Sequence, residues 1–220
     1  IPEVQAFLRS CLEEALFQSQ QFDELVGSYD APQGNAKFID AIASLLHNEC
    51  GWPVGRENIA VTNGSQSSFF TLFNLFAGQC PDGNQRRILL PLTPEYIGYG
   101  DIGLGQELFY SRRPNIEIRG QYEFKYHVDF DHLDIQEDTG AICISRPTNP
   151  TGNVVTDEEI LELREIAVRR DVPLIIDGAY GAPFPNILFT EVTPIWDPGV
   201  IVCLSLSKFG MPGVRTGIVV

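Results

Sequence analysis

Short apolar runs alternate with amphipathic segments along most of the chain. Helical spacing of apolar positions predicts helices at residues 4–21, 36–49, 66–76, 97–102 and 157–169. Six runs rich in Ile, Val and Leu predict strands at residues 59–62, 87–90, 141–145, 173–177, 200–205 and 217–220. Nearly continuous apolar strands are typical of a sheet that is covered on both faces. The alternation predicts an α/β fold, a mostly parallel open sheet flanked by helices.

Two local features refine this pattern. Thr156 and Glu159 form the signature of a capping box at the start of the helix 157–169. The polar and charged segment 111–137 predicts a surface connection or a hairpin. No Gly/Ser-rich linker divides the chain, and no helix follows the last predicted strand. We therefore expect the 220 residues to form one domain that is incomplete.

Composition narrows the classes of function. The chain has 29 acidic and 15 basic residues, so a basic surface for nucleic acid is not expected. No apolar stretch reaches the roughly 18 residues that a membrane span needs, and residues 1–4 do not begin a signal peptide. The default expectation is a cytoplasmic protein. The five cysteines and three histidines lack metal-ligand spacing, so no metal site is predicted; Cys143 and Cys203 lie in apolar runs and should be buried.

Unusual polar residues follow several of the predicted strands. The sequences are NGSQ at 63–66, RPTNPTG at 146–152, the pair Asp177 and Tyr180, and SLSK at 205–208. Ligands of open α/β sheets bind at the carboxyl ends of the strands. Each of these sequences alone could be an ordinary loop, but four of them on one edge indicate a ligand site.

The three lysines differ in their surroundings. Lys37 and Lys125 lie in polar segments and should be solvated, whereas Lys208 follows an apolar strand. A lysine that is partly dehydrated at a strand end can form a Schiff base with a carbonyl group. The alternative for Lys208 is a structural role or a simple contact with an anion.

The residues around Lys208 predict a site for phosphate. Ser205, Ser207 and Arg215 offer two hydroxyls and a guanidinium, and Gly210 and Gly213 would let the backbone approach the ligand. Gly64, Ser65 and Gln66 would form a second anion-binding turn at the start of a helix. The alternative for each segment is a solvated loop.

Other residues at the strand ends suit an aromatic ring. Asp177 ends a buried strand and needs a positive partner, such as a protonated pyridine nitrogen, or else it caps the next segment. Asn149 and Tyr180 can bind a ring phenolate by hydrogen bonds. Tyr96 could stack on the ring, with Tyr99 as the competing candidate, and each aromatic could equally belong to the core.

These motifs together resemble a known family. SYDAPQG, VTNGSQSSFF, PEYIGYG, SRPTNPTGNV, IIDGAY and SLSKFGMPGVRTG are similar, in this order, to motifs of the fold-type I pyridoxal-phosphate (PLP) enzymes of aminotransferase class I and II. Within that family LTPEYIGYGD, SRPTNPTGNV and FFTLFNLFAG resemble the valine–pyruvate aminotransferases. The resemblance implies ping-pong transamination in which valine and pyruvate become 3-methyl-2-oxobutanoate and alanine.

The resemblance also assigns roles to residues. It implies that Lys208 holds PLP as an aldimine and carries the proton between Cα and C4′, that Asp177 pairs with the pyridinium, and that Tyr180 and Asn149 bind the 3′-oxygen. It implies that Tyr96 stacks on the ring. Tyr29 would reach the phosphate of a neighbouring subunit, which implies a homodimer with shared sites. The implied phosphate ligands are Gly64, Ser65, Gln66, Ser205, Ser207 and Arg215.

Parts of the family pattern are missing from the sequence. A glycine-containing substrate segment should precede residue 1, and a small domain carrying the arginine that binds the substrate carboxylate should follow residue 220. We expect residues 1–220 to be an incomplete PLP-binding large domain that is inactive alone. Two alternatives stay open: another fold-type I reaction (a β-lyase, decarboxylase or synthase), or a non-catalytic aminotransferase-like sensor.

Overall fold

The computed structural model describes residues 2–220, and an eight-stranded sheet forms its centre. The strand order is β1-β10-β9-β8-β7-β3-β2, with β4 also paired to β3. The strands are β1 Ala60–Thr62, β2 Gly78–Gln79, β3 Gln85–Leu90, β4 Phe109–Ser111, β7 Thr139–Ser145, β8 Leu174–Asp177, β9 Val200–Ser205 and β10 Gly217–Val219. The five strands β4, β3, β7, β8 and β9 pair in parallel, whereas β10 and β2 pair antiparallel with their neighbours. A mostly parallel open sheet is therefore confirmed.

All six predicted strands are present, with bounds shifted by at most two residues. The short edge strands β2 and β4 were not predicted, because two or three residues carry too little periodicity to be recognised. The polar segment 111–137 contains the antiparallel hairpin β5 Asn115–Ile118 and β6 Phe124–His127, which is one of the two predicted alternatives.

Three of the five predicted helices are confirmed, and two predictions need correction. The confirmed helices are α3 Ala36–Cys50, α4 Ser65–Phe76 and α5 Asp157–Arg170. The predicted helix 4–21 is two helices, α1 Pro2–Phe17 and α2 Ser19–Gly27, because Gln18 takes extended backbone angles between them. The predicted helix 97–102 is only a single 3₁₀ turn, Ile97–Tyr99, in a segment where two glycines disfavour a helix.

Helices cover both faces of the sheet. On one face α4 packs Phe69 and Phe73 against a cluster that includes Ala141 and Cys143. On the other face α3 and α5 pack against a larger cluster that includes Ile142 and Ile144. Alternate residues of β7 thus point to opposite layers, which explains the continuous apolar runs. Cys143 and Cys203 are fully buried, as predicted.

The capping box at α5 is confirmed. Glu159 N donates to Thr156 Oγ1 at 3.2 Å, and Thr156 N donates to Glu159 Oε2 at 2.8 Å. Glu159 also accepts a hydrogen bond from Val128 N, so the same carboxylate ties the segment after β6 to the start of α5. Among residues 2–220 no helix combines the length and the apolar character needed to cross a membrane.

Candidate functional site

The carboxyl ends of β7, β8 and β9 meet the start of α4 at one cavity of about 410 Å³. This is the edge at which open α/β sheets bind ligands. The residues that line the cavity come from the ends of these strands and the loops after them, from the first turns of α4 and from the segment after β3: Ser65, Gln66, Phe69, Tyr96, Ser145, Pro147, Asn149, Asp177, Ala179, Tyr180, Ser205, Ser207, Lys208, Pro212 and Arg215. The cavity thus brings together ten of the twelve residues assigned to the site from the sequence.

The two remaining residues differ in position. Gly64 directly precedes Ser65, which lines the cavity, and a Cβ built on Gly64 would meet the guanidinium of Arg215. Tyr29 is fully exposed and is not part of the cavity wall in this chain. Its proposed contact with a neighbouring subunit stays a prediction.

One end of the cavity is built from hydrogen-bond donors. Arg215 Nη1 donates to Ser207 Oγ at 3.2 Å and to Pro212 O at 3.5 Å. Both hydrogen bonds start at Nη1, so the donors on Nε and Nη2 remain for a ligand. Gly64 has φ 86° and ψ 156°, and the first turn of α4 has no side-chain cap. The free amides of that turn, the helix dipole and the guanidinium all favour an anion.

The close packing at this end depends on glycine. A Cβ on Gly64 would lie 2.4 Å from Arg215 Nη2, and a Cβ on Gly217 would lie 2.7 Å from Ser65 N. Ser205 is buried, and its Oγ accepts a hydrogen bond from Ser207 N at 3.2 Å. This donor set fits a phosphate group, which needs several N–H and O–H donors and a forked cation.

Lys208 lies at the cavity, with its Nζ 5.1 Å from the centroid of the Tyr180 ring. The residue as a whole is exposed in this chain, because it stands on the loop after β9. The partial dehydration expected for its amine stays a prediction. Its place beside Tyr180 nevertheless brings an amine to the cavity.

The other two lysines lie away from the cavity. Lys37 is solvated as predicted, with 80% of its side chain exposed and an ion pair to Glu24 at 2.7 Å. Lys125 was also expected to be solvated, and that prediction is wrong. Its Nζ donates a hydrogen bond to Val154 O because the β5–β6 hairpin lies against the loop after β7, and burial lowers the pKa of this amine.

Asp177 ends β8 as a buried carboxyl. Its Oδ1 accepts a hydrogen bond from Ala179 N at 2.9 Å, and its Oδ2 accepts one from the Tyr99 hydroxyl at 2.6 Å. Burial raises the pKa of the Asp177 carboxyl, and the two hydrogen bonds oppose that effect. The contact to Ala179 N is the capping interaction that was the alternative prediction, but Asp177 also lines the cavity, where it can accept a hydrogen bond from a cation.

The two candidate tyrosines are separated by the structure. Tyr96 lines the cavity, and its hydroxyl accepts a hydrogen bond from Gln66 Nε2 at 3.1 Å. Tyr99 is buried among Phe69, Phe73 and Phe109 and contacts Asp177 from behind. Tyr96 is therefore the aromatic that can meet a ring in the cavity. Gln66 Oε1 is a buried acceptor without a partner in residues 2–220, so it can receive a donor from a ligand.

The loop that carries Asn149 is anchored by a buried arginine. Arg146 is only 6% exposed; it donates to Val155 O at 2.8 Å and to Thr193 O at 3.1 Å, and it forms an ion pair with Asp157. These bonds fix both ends of the loop, so Asn149 reaches the cavity from a well-defined position.

Sequence reasoning missed two polar residues at this site. Ser145 lines the cavity; its backbone N–H donates to the Glu95 carboxyl, and its hydroxyl contacts the other oxygen of that carboxyl. Burial raises the pKa of Glu95 to about 7. The signal in the sequence was Glu95 itself, an acidic residue directly before the candidate aromatic Tyr96.

Comparisons with known proteins agree with this geometry. The sequence profile of the family "Aminotransferase class I and II" matches residues 11–220. The valine–pyruvate aminotransferase of Escherichia coli K12 is 53% identical over 220 residues, which are 100% of this chain and 52% of that protein. The chain thus spans about half the length of the curated relatives that it matches.

Solved structures show the same likeness. The valine-pyruvate aminotransferase of Salmonella typhimurium LT2 superposes with a TM-score of 0.88 at 50% identity, covering 100% of this chain and 54% of that one. A putative amino-acid aminotransferase from Psychrobacter arcticum 273-4 gives a TM-score of 0.83 at 51% identity, covering 88% of this chain and 47% of that one. Because the profile covers nearly all of the sequence and the fold agrees, this chain belongs to the class I and II aminotransferase family.

Proposed function

We propose that this chain is the PLP-binding part of an aminotransferase that moves an amino group between a small aliphatic amino acid and a 2-oxo acid, with valine and pyruvate as the pair. The observation that carries the proposal is one cavity bordered by a lysine amine, a buried acid and a free guanidinium: Lys208, Asp177 and Arg215. The class I and II aminotransferases are PLP enzymes. The 53% identity to a valine–pyruvate aminotransferase supports the choice of substrates.

Each residue has a distinct task in this proposal. Arg215, Ser205, Ser207 and the Gly64–Ser65–Gln66 turn hold the phosphate. Asp177 accepts a hydrogen bond from the pyridinium N–H, Tyr180 and Asn149 hold the 3′-oxygen, and Tyr96 lies against the ring. When bound, PLP supplies an aldehyde that condenses with amines and a ring that accepts an electron pair. Lys208 Nζ is the attachment point and the group that moves a proton at the substrate Cα.

The proposal extends to the assembly and the place of work. We infer a homodimer in the cytoplasm, with the exposed Tyr29 reaching the cofactor phosphate of the partner subunit. Residues 1–220 form the large domain in this proposal. Substrate binding and turnover belong to the whole protein, so the activity test is made on the full-length enzyme, with product analysis after incubation with valine and pyruvate. Release of CO₂ or ammonia in place of 3-methyl-2-oxobutanoate and alanine would indicate a different PLP reaction.

The attachment of the cofactor can be tested on the chain itself. We expect PLP to attach covalently to the wild-type chain, so that borohydride reduction followed by peptide mapping locates the cofactor on Lys208. Lys208→Ala should lose both the absorbance band of the attached cofactor and the reduced adduct. Lys37→Ala is the matched control, because Lys37 is an exposed lysine remote from the cavity. Retention of the band and the adduct in Lys208→Ala would contradict the proposal.

A further inference from the structure

Four oxygen-bearing side chains lie in a row behind the cavity, and the proposed function uses only the last of them, Asp177. Glu95 Oε2 contacts Ser145 Oγ. Ser145 Oγ lies 3.2 Å from Tyr99 Oη, and Tyr99 Oη lies 2.6 Å from Asp177 Oδ2. We call this row, Glu95–Ser145–Tyr99–Asp177, the oxygen chain.

Both ends of the oxygen chain are fixed by backbone amides. Ser145 N donates to Glu95 Oε1 at 2.9 Å, and Ala179 N donates to Asp177 Oδ1 at 2.9 Å. Each carboxyl therefore has one oxygen that must accept from an N–H group, and only Glu95 Oε2 and Asp177 Oδ2 face the two hydroxyls. The hydrogen-bond pattern between these oxygens is then a matter of counting protons.

Three oxygen–oxygen contacts need three protons, and the two hydroxyls supply only two. With both carboxyls ionised, one contact would join two oxygens without a hydrogen between them. The contact left without one would be the longest, 3.2 Å between Ser145 Oγ and Tyr99 Oη, and a third proton on either carboxyl would fill it. If it lies on Glu95, then Glu95 donates to Ser145, Ser145 donates to Tyr99, and Tyr99 donates to Asp177, which satisfies every contact in one direction.

The charges around the oxygen chain also favour one added proton. The titratable groups that face it are Tyr99 itself, Cys143 on β7 and Cys203 on β9, all of which ionise to anions. Within residues 2–220 no ion pair joins Glu95 or Asp177 to a lysine, an arginine or a histidine. Two ionised carboxylates would therefore repel each other without compensation.

The reference acidities of the two side chains favour Glu95 as the site of the proton. Glutamic acid is intrinsically weaker than aspartic acid, by about half a pKa unit. Asp177 receives hydrogen bonds from two groups that are donors already, Ala179 N and the Tyr99 hydroxyl, and it lines the cavity. Burial raises the pKa of Glu95 to about 7, which agrees with the assignment from geometry.

We propose that Glu95 is protonated and neutral, and that it acts as a positioning residue by donating a hydrogen bond along the oxygen chain. Asp177 is then the one ionised carboxyl of the oxygen chain, and it faces the cavity as a hydrogen-bond acceptor. The role of Asp177 as partner of a pyridinium rests on the proposed function, whereas the protonation of Glu95 does not. One negative charge behind the cavity matches one positive charge on a pyridine nitrogen. The oxygen chain thereby sets the charge that the ring meets.

The protonation is tested on the cofactor-free chain by infrared spectroscopy at about pH 6, where exposed carboxyls are ionised. We expect the carboxylic-acid C=O band of the wild type to disappear in Glu95→Gln and to remain in Glu14→Gln, an exposed control. If the difference spectrum of Glu95→Gln contains only carboxylate bands, Glu95 is ionised and the proposal is overturned, whether or not the chain binds PLP. Circular dichroism shows that each variant is folded.

The positioning role is tested with ¹⁵N-labelled PLP, whose ring nitrogen has different NMR shifts when protonated and unprotonated. We expect the protonated shift in the wild type and in Glu95→Gln, because an amide donates to Ser145 as the acid does. Glu95→Ala and Tyr99→Phe should move the shift toward the unprotonated value. An unchanged shift in both of these variants would overturn the positioning role. Failure of the wild type to bind PLP would refute the proposed function instead, and the infrared result would still decide the state of Glu95.

Discussion

Gly64 joins β1 to α4, and Gly64→Ala should weaken anion binding at the cavity. Gly64 has φ 86° and ψ 156°, a region that only glycine adopts readily, so any side chain there costs about 1–3 kcal/mol. The new methyl group would also lie 2.4 Å from Arg215 Nη2, so the guanidinium must retreat by about 1 Å to reach ordinary contact distance. The loss of one charge-assisted hydrogen bond, about 1.5–3 kcal/mol, should weaken PLP binding about 10- to 100-fold.

Gly83→Ala separates the two causes. Gly83 has φ 82°, and a Cβ there would meet nothing within 4 Å, so it carries backbone strain without displacing Arg215. Absorbance titration with PLP gives the affinity, and urea denaturation gives the free energy of unfolding. We expect both variants to lose stability but only Gly64→Ala to lose affinity. Affinities of the two variants that both lie within about twofold of the wild type would refute the reasoning that Gly64 holds Arg215 in place.

Two further predictions concern stability. Phe73 is fully buried, and its ring centroid lies 5.4, 5.2 and 5.1 Å from those of Phe69, Tyr99 and Phe109. Phe73→Ala should therefore lower the free energy of unfolding, measured by urea denaturation, by about 3–5 kcal/mol. Phe17→Ala is the control, because Phe17 is exposed. The pKa of Glu95 is raised from 4.5 to about 7 in the folded chain, so its contribution is complete below about pH 4.5 and is lost as the pH rises through 7. At about 1.4 kcal/mol per pH unit the loss amounts to at most about 3.5 kcal/mol, and Glu95→Gln should flatten this part of the stability–pH curve. Parallel curves for the wild type and Glu95→Gln would contradict the raised pKa.

Much of the architecture could be predicted from the sequence because the buried strands are nearly continuous apolar runs. The runs at β7, β8 and β9 also fixed where polar residues leave the sheet, so Asn149, Asp177 and Lys208 could be assigned to one edge. Ser205, Ser207 and Arg215 followed from their spacing, since glycines lie between them. These assignments concern position, and the chemical roles of the residues stay predictions.

The features that could not be predicted depend on contacts between distant segments. Lys125 looks solvated in the sequence, but its surroundings are set by Val154, which lies 29 residues away. Glu95 contacts Ser145 across 50 residues, and neither residue belongs to a local motif that predicts this contact. Lys208 is exposed as a residue, because exposure on a loop depends on what covers the loop and not on the strand before it.

The antiparallel strand β10 has a consequence for how the cavity keeps its shape. Lys208 and Arg215 both lie on the loop that leaves the sheet at the end of β9 and returns at the start of β10, where Ser205 pairs with Gly217. The other edge of β10 pairs with β1, where Gly217 lies opposite Thr62, two residues before Gly64. The amine, the guanidinium and the glycine turn therefore all adjoin one row of paired residues across three adjacent strands, Thr62, Gly217 and Ser205. A shift of these paired residues would move Lys208, Arg215 and the Gly64 turn together, so the spacing of the three groups is preserved even if the rest of the sheet flexes.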